Sequence, residues 1–114
     1  MINVIGMGYI GLPTALMLAA HGNKVVGSDT NKELIEKLRA GNLPFEEQGI
    51  QELYGQALRE NISFSDQKVV ADYYIIAVPS PYNEMSKKVD ASYIEQAVRD
   101  VIHVNPRGGA VVII

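Results

Sequence analysis

Residues 6–15 read Gly-Met-Gly-Tyr-Ile-Gly-Leu-Pro-Thr-Ala. They follow the apolar run Ile2-Asn3-Val4-Ile5 and lead into a segment rich in Ala, Leu and Met. Glycines at this spacing put a tight turn where a buried strand becomes a helix. Gly6 supplies backbone angles that a side chain would hinder, Gly8 leaves room for a diphosphate against the backbone, and Gly11 lets the helix lie close on the strand. The helix N-terminus then offers free N–H groups and the positive end of its dipole to that diphosphate. Asp29 closes the next apolar run, Lys24 to Asp29, 18 positions beyond Gly11. That matches the roughly 20-residue spacing of the carboxylate that accepts hydrogen bonds from an adenosine ribose. Thr30 is neutral and no arginine follows closely, so NAD is expected rather than NADP.

The rest of the chain alternates in kind. Ile10 to His21 reads as a helix with Leu12, Ala15, Leu16 and Ala19 on one face, Pro13 in its first turn and Gly22 as its stop. After the second strand, Thr30-Asn31-Lys32-Glu33 reads as a capping box opening a helix through Leu34, Ile35 and Leu38. Ile50, Leu53, Tyr54, Ala57 and Leu58 recur at helical spacing, and a short strand is expected over 62–64. Ser65 or Asp66 is expected to cap a brief helical turn before the buried strand Tyr73 to Val78. Pro79 to Val89 reads as a proline-flanked loop. Asp90 or Ser92 then caps a helix whose face carries Ile94, Ala97, Val98, Val101 and Ile102. Pro106-Arg107-Gly108-Gly109 turns the chain into Val111 to Ile114.

Strands alternating with helices imply an α/β, Rossmann-type doubly wound parallel sheet with right-handed crossovers. The expected strand order is 3-2-1-4-5, with the ligand crevice at the switch between strands one and four. The chain stops inside an apolar strand, so residues 1–114 are expected to be an N-terminal cofactor domain cut before its sixth strand, with the substrate domain elsewhere. Left as a sheet edge, that last strand is expected to promote association.

Composition removes several classes. A content of 47% hydrophobic residues supports a buried core, and the net charge of −3 with scattered Lys and Arg gives no nucleic-acid surface. Cysteine is absent, which excludes disulfides, thiolate metal sites and a cysteine nucleophile within these residues. No apolar run reaches the roughly 20 residues of a membrane span, so a soluble cytoplasmic protein with no membrane partner is the default.

The glycine turn extends to Gly-x-Gly-Tyr-Ile-Gly-Leu-Pro-x-Ala, and in this form it resembles the UDP-glucose/GDP-mannose dehydrogenase family. Gly27-Ser28-Asp29-Thr30-Asn31 is similar to the family's G-x-D-x-N, residues 43–50 to its P-x-x-E-P-G-L loop, and Ala77-Val78-Pro79-Ser80-Pro81 to its V-P-T-P. Asp90 to Ala97 resembles the helix start of the branch acting on UDP-N-acetylmannosamine. Gln48 stands where the family usually has proline, and Ser80 replaces a threonine while keeping the hydroxyl. The resemblance implies NAD contacts at Tyr9 and Ile10 through their backbone, and at Asp29 and Ser80. It implies oxidation of a sugar C6 alcohol to a uronic acid by two NAD, for polysaccharide precursors. It also implies a homodimer, and a catalytic Thr, Glu, Lys, Asn and Cys set outside these residues.

Plainer roles stand beside these. Asp29 could cap the following helix, Ser80 could be a turn residue, and Tyr9 could pack over the crevice while its backbone binds. His21 and His103 suit helix ends, Lys87 and Lys88 a solvated turn, Met7 and Met17 packing, and Glu47 loop ordering. UDP-glucose 6-dehydrogenase, a hydroxyacid or 6-phosphogluconate-like dehydrogenase, a methyltransferase and a non-catalytic nucleotide sensor are the alternatives. The run from Tyr9 to Pro13 and the Pro79-Ser80-Pro81 loop argue against the hydroxyacid class.

Overall fold

A computed structural model describes residues 1–45, 48–59, 62–107 and 110–113. The Glu46-Glu47 pair, the Gly108-Gly109 turn and Ile114 lie outside the described residues. Strands β1 (Ile2–Ile5), β2 (Val25–Ser28), β3 (Ile62–Ser65), β4 (Tyr73–Ile76) and β7 (Ala110–Ile113) form one parallel sheet in the order β3-β2-β1-β4-β7. The sheet therefore has the expected 3-2-1-4-5 winding. An additional short antiparallel pair, β5 (Tyr82–Asn83) and β6 (Lys88–Val89), occupies the stretch read as a plain loop. Asn83 closes this hairpin by accepting from the amides of Met85 and Ser86.

Helices α1 (Gly11–Ala20), α2 (Lys32–Arg39) and α3 (Ile50–Arg59) cover one side of the sheet. The four apolar residues expected on the face of α1 are fully buried, and they pack with Val4, Ile35, Leu38, Ile50, Tyr54, Ala57 and Phe64. Met7 is buried above Gly27, where a Cβ would stand 2.6 Å from its sulfur. Met17, by contrast, is 49% exposed, so its packing role is not realised. Helix α4 (Ser92–Val104) covers the other side, burying Ala97 and Val101 against Ile5, Tyr74 and Ile76. Ile102, assigned to the same face, is exposed. At 100° per residue it lies beyond the stripe that Ala97 and Val101 define.

The brief helical turn expected before β4 does not form. Residues 66–72 cross the sheet without a helix, and polar side chains hold their backbone. Asn3, buried in the middle of β1, donates to Val26 O (3.0 Å) and Ser28 Oγ (2.8 Å) and accepts from Val69 N (3.2 Å). Ser28 Oγ donates to Gln67 O at 2.8 Å, and Tyr74 Oη donates to Val69 O (2.7 Å) and accepts from Ala71 N (2.9 Å). A helix would have satisfied its own backbone; an extended crossover on a buried face needs partners from the sheet below. Asn3 lies within the apolar run of β1, and its side chain meets that need.

No helix among the described residues is long and apolar enough to cross a membrane.

Candidate cofactor-binding site

The C-terminal ends of β1 and β4 meet at the glycine turn. Gly6 adopts φ +99°, and a Cβ there would stand 2.5 Å from Ala77 O. Its amide donates to Ser28 O at 2.7 Å, while Ala77 N donates to Ile5 O at 2.8 Å. A Cβ on Gly11 would fall 1.6 Å from Gly6 O, so the helix can start this close to the strand only without a side chain. Around Gly8 there is open space: a Cβ would meet nothing within 4 Å. Among the described residues the amides of Gly8, Tyr9, Ile10 and Gly11 take no backbone or side-chain partner, and Leu12 N donates to Gly8 O to begin the helix. The turn thus presents unpaired donors at the positive end of α1, as an anionic diphosphate requires.

Asp29 lies at the end of β2, half-buried, with both oxygens engaged. Oδ2 accepts from Met7 N and Oδ1 from Asn31 N, each at 2.9 Å. The carboxylate therefore ties the glycine turn to the start of α2. Its part in capping α2 is indirect: Asn31 is the residue whose Oδ1 receives Leu34 N, at 3.1 Å. The capping box read at Thr30 is shifted by one residue, because Asp29 holds Asn31 in the extended conformation that a cap adopts (φ −79°, ψ 97°). A carboxylate oxygen carries more than one lone pair, so both oxygens keep capacity for further donors.

These residues share one cavity of about 510 Å³. Gly6, Gly8, Tyr9, Ile10, Asp29 and Ser80 all line it, with Pro79 and Asn31 between them. Gly11 is buried behind it. Ser80 stands at the rim, exposed. Tyr9 projects outward, 74% exposed, and stacks on Phe45 with ring centroids 4.6 Å apart. Its stacked ring thus stands at the edge of the cavity that Tyr9 lines, and Phe45 belongs to the loop matched on the family pattern.

A second, smaller slot of about 270 Å³ shares Gly6, Asp29, Val78 and Pro79 with the first and runs on towards α4, where Lys68, Tyr93, Gln96 and Ala97 complete it. Sequence reasoning missed Lys68, Tyr93 and Gln96. Nothing in their spacing from the glycine turn marks them, since only the path of the non-helical crossover brings Lys68 under α4. Lys68 Nζ donates to Asp100 Oδ2 at 2.9 Å, and that hydrogen bond holds the Asp100 carboxyl below the usual carboxylate range. Asp90 is likewise held low by hydrogen bonds from Ser92, its Oδ1 accepting from Ser92 N at 2.9 Å; the cap position of α4 falls on Ala91, not on Asp90 or Ser92, and carries no side-chain cap bond. His21 Nδ1 meets Met17 O at 2.8 Å at the end of α1, and Lys87 and Lys88 are exposed, the structural roles expected of them.

A parallel sheet wound from β1 to both sides, a glycine turn opening onto a helix N-terminus and a carboxylate at the end of β2 define a dinucleotide-binding domain of the Rossmann class. The chain belongs to the UDP-glucose/GDP-mannose dehydrogenase family, whose NAD-binding domain matches it over residues 1–114, and its cofactor is NAD. It is 41% identical over 114 residues to a UDP-N-acetyl-D-mannosamine dehydrogenase of Methanococcus maripaludis, a match covering 96% of this chain and 27% of that protein. Among solved structures, the UDP-N-acetyl-mannosamine dehydrogenase of Staphylococcus aureus superposes with a TM-score of 0.91 at 36% identity, over 98% of this chain and 28% of that one. A UDP-glucose dehydrogenase of Pyrobaculum islandicum gives 0.87 at 32% identity, over 98% and 28%. The chain thus spans little more than a quarter of the length of the relatives it matches.

Proposed function

We propose that these residues form the cofactor domain of a cytoplasmic nucleotide-sugar 6-dehydrogenase, and that the sugar is carried by UDP, with UDP-N-acetylmannosamine favoured. The likeness to proteins of that name at 41% and 36% identity supports the choice of sugar. The enzyme oxidises the sugar C6 alcohol to a uronic acid for polysaccharide precursors. NAD supplies the hydride acceptor. The groups that bind and activate the sugar come from chain outside residues 1–114, and the working enzyme is a homodimer.

The role of this domain is to bind and aim. The unpaired amides of Gly8, Tyr9 and Ile10 take the diphosphate, with the dipole of α1 behind them. Asp29 accepts from the adenosine ribose. It is already fixed by Met7 N and Asn31 N, so no side-chain freedom is lost when the ribose arrives. Ser80 donates its hydroxyl to the cofactor from the opposite wall. The single observation carrying this assignment is the shared cavity, which collects Gly6, Gly8, Tyr9, Ile10, Asp29 and Ser80 from three separate stretches of sequence.

Calorimetric titration with NAD and NADP tests it. NAD is expected to bind more tightly, because a 2′-phosphate would meet the Asp29 carboxylate. Asp29→Ala should weaken NAD binding by about 1–3 kcal/mol, the value of a charge-assisted hydrogen bond. Asp29→Ala also removes the acceptor for two backbone amides, so circular dichroism must first show the variant folded. A folded variant with unchanged NAD affinity would refute the ribose assignment.

A further inference from the structure

Amides kept free for a ligand cannot also hold their own turn in place. On either side of Tyr9 the carbonyls do that work: Leu12 N donates to Gly8 O and Thr14 N to Ile10 O, each at 3.1 Å. Tyr9 O would take the amide four residues on, but that residue is Pro13, which has no N–H. Among the described residues Tyr9 therefore has no main-chain partner at its amide or at its carbonyl. The anchor before it stops at Met7 N, held by Asp29 Oδ2, and Gly8 has no side chain to pack.

What holds Tyr9 is its ring, stacked on Phe45 with 4.6 Å between centroids and 26° between planes. A stack spends neither the amide nor the carbonyl, so it anchors the residue and leaves its N–H for a ligand. Phe45 is a firm support. Gly41 N donates to Leu38 O (3.1 Å) and Asn42 N to Lys37 O (2.8 Å), which closes α2 and turns the chain out of the helix. Leu43 and Phe45 then pack, partly buried, against the core beneath α1, α2 and α3. The glycine turn is thus braced from both ends of α2. Asp29, just before the helix, holds Met7, and Phe45, after it, holds Tyr9.

We propose that Phe45 is a positioning residue for the cofactor: by stacking on Tyr9 it sets the Tyr9 peptide so that its amide meets the diphosphate together with those of Gly8 and Ile10. This rests on the assignment of the crevice to NAD. Donors set in place before the ligand arrives need no ordering when it binds, so the stack adds affinity without Phe45 touching the cofactor.

Calorimetry of NAD binding to the full-length protein tests this on Phe45→Leu, Tyr9→Leu, the double variant and Phe45→Tyr. Adenosine, which carries the ribose but no phosphate, is the second probe, followed by NMR titration. Phe45→Leu keeps an apolar side chain on the core and removes the ring; it should weaken NAD roughly two- to tenfold, the range of an aromatic pair's coupling. Adenosine affinity should not change, which a general loosening of the domain would not spare. Phe45→Tyr keeps the ring and should bind NAD as wild type does. The double variant should bind no more weakly than Tyr9→Leu alone, because both single changes break one stack. Tyr9 is 74% exposed, so Tyr9→Leu keeps the fold and carries the test where Phe45→Leu does not fold. Unchanged NAD affinity in a folded Phe45→Leu or in Tyr9→Leu, equal losses for NAD and adenosine, or losses that add in the double variant overturn the positioning role and leave the NAD assignment standing. Failure of wild type to bind NAD overturns both.

Discussion

Two glycines three positions apart, Gly8 and Gly11, do opposite work in the turn. Gly11 is needed by the fold, since a Cβ there would fall 1.6 Å from the Gly6 carbonyl, a backbone atom that cannot move aside without shifting α1. Gly8 faces open space, so the fold has no use for its missing side chain and a ligand does. Gly11→Ala should therefore cost about 3 kcal/mol or more of stability, at the upper end of overpacking penalties. For a domain of this size that is a fall of well over ten degrees in Tm, at roughly 4–8 °C per kcal/mol. Gly8→Ala should leave Tm close to wild type while weakening NAD binding. Differential scanning calorimetry and NAD titration on the pair check this; a Gly8→Ala variant that melts early with intact affinity would reverse the assignment. The sequence pattern named both glycines as parts of one fingerprint, and the distances around them separate the two roles. Asp29 was legible as an acidic residue at a strand end. That it also joins the glycine turn to α2 through Met7 N and Asn31 N was not, because both partners are main-chain atoms and main chain carries no sequence signal.

At the scale of elements, the crossover from β3 to β4 sets this domain apart from the helical expectation. It lies over Asn3, Ser28 and Tyr74, which replace with side-chain hydrogen bonds what a helix would have provided itself. Asn3→Leu keeps the volume and removes the bonds, leaving Val69 N without its partner, while Val26 O keeps its place in the β1–β2 ladder. The expected loss is about 1–3 kcal/mol, the cost of one buried group left unsatisfied. Urea denaturation monitored by circular dichroism measures it, and a loss below about 0.5 kcal/mol would mean the crossover is held by other contacts. The helices were readable because their apolar faces recur with period 3.6; the buried Ala and Leu of α1 and the buried Ile35 and Leu38 of α2 follow that period. The crossover has no period to read, since its order comes from residues distant in the chain. The β5–β6 hairpin was hidden for a related reason. Its strands are two residues each, too short for alternation to show.

Over the whole molecule, the two edges of the sheet are treated differently. At β3, Arg39 from the last turn of α2 donates through Nε and Nη2 to Phe64 O, at 3.0 and 2.8 Å. Ser65 O receives Asp29 N from the β2 side, so the neighbouring Phe64 carbonyl points to the outer edge, and the guanidinium caps it against another strand. β7 pairs with β4 alone among the described residues, and Val111 is 43% exposed there. Arg39→Ala should raise the tendency of the protein to associate at high concentration, visible as a larger mass by light scattering; an unchanged mass at every concentration would show that the β3 edge needs no cap. What the amino-acid sequence determined by itself was local: strands and helices in order, the glycine turn between the first two, an acidic residue at the end of the second strand, and through these the winding and the family. Short-range periodicity and backbone sterics encode those features, so they can be read from neighbours in the chain. Only the tertiary structure decided which residues line the crevice beyond the fingerprint. Lys68 meets Asp100 across 32 positions and Asn3 meets Val69 across 66, and such contacts exist only once the crossover has laid its backbone over the sheet.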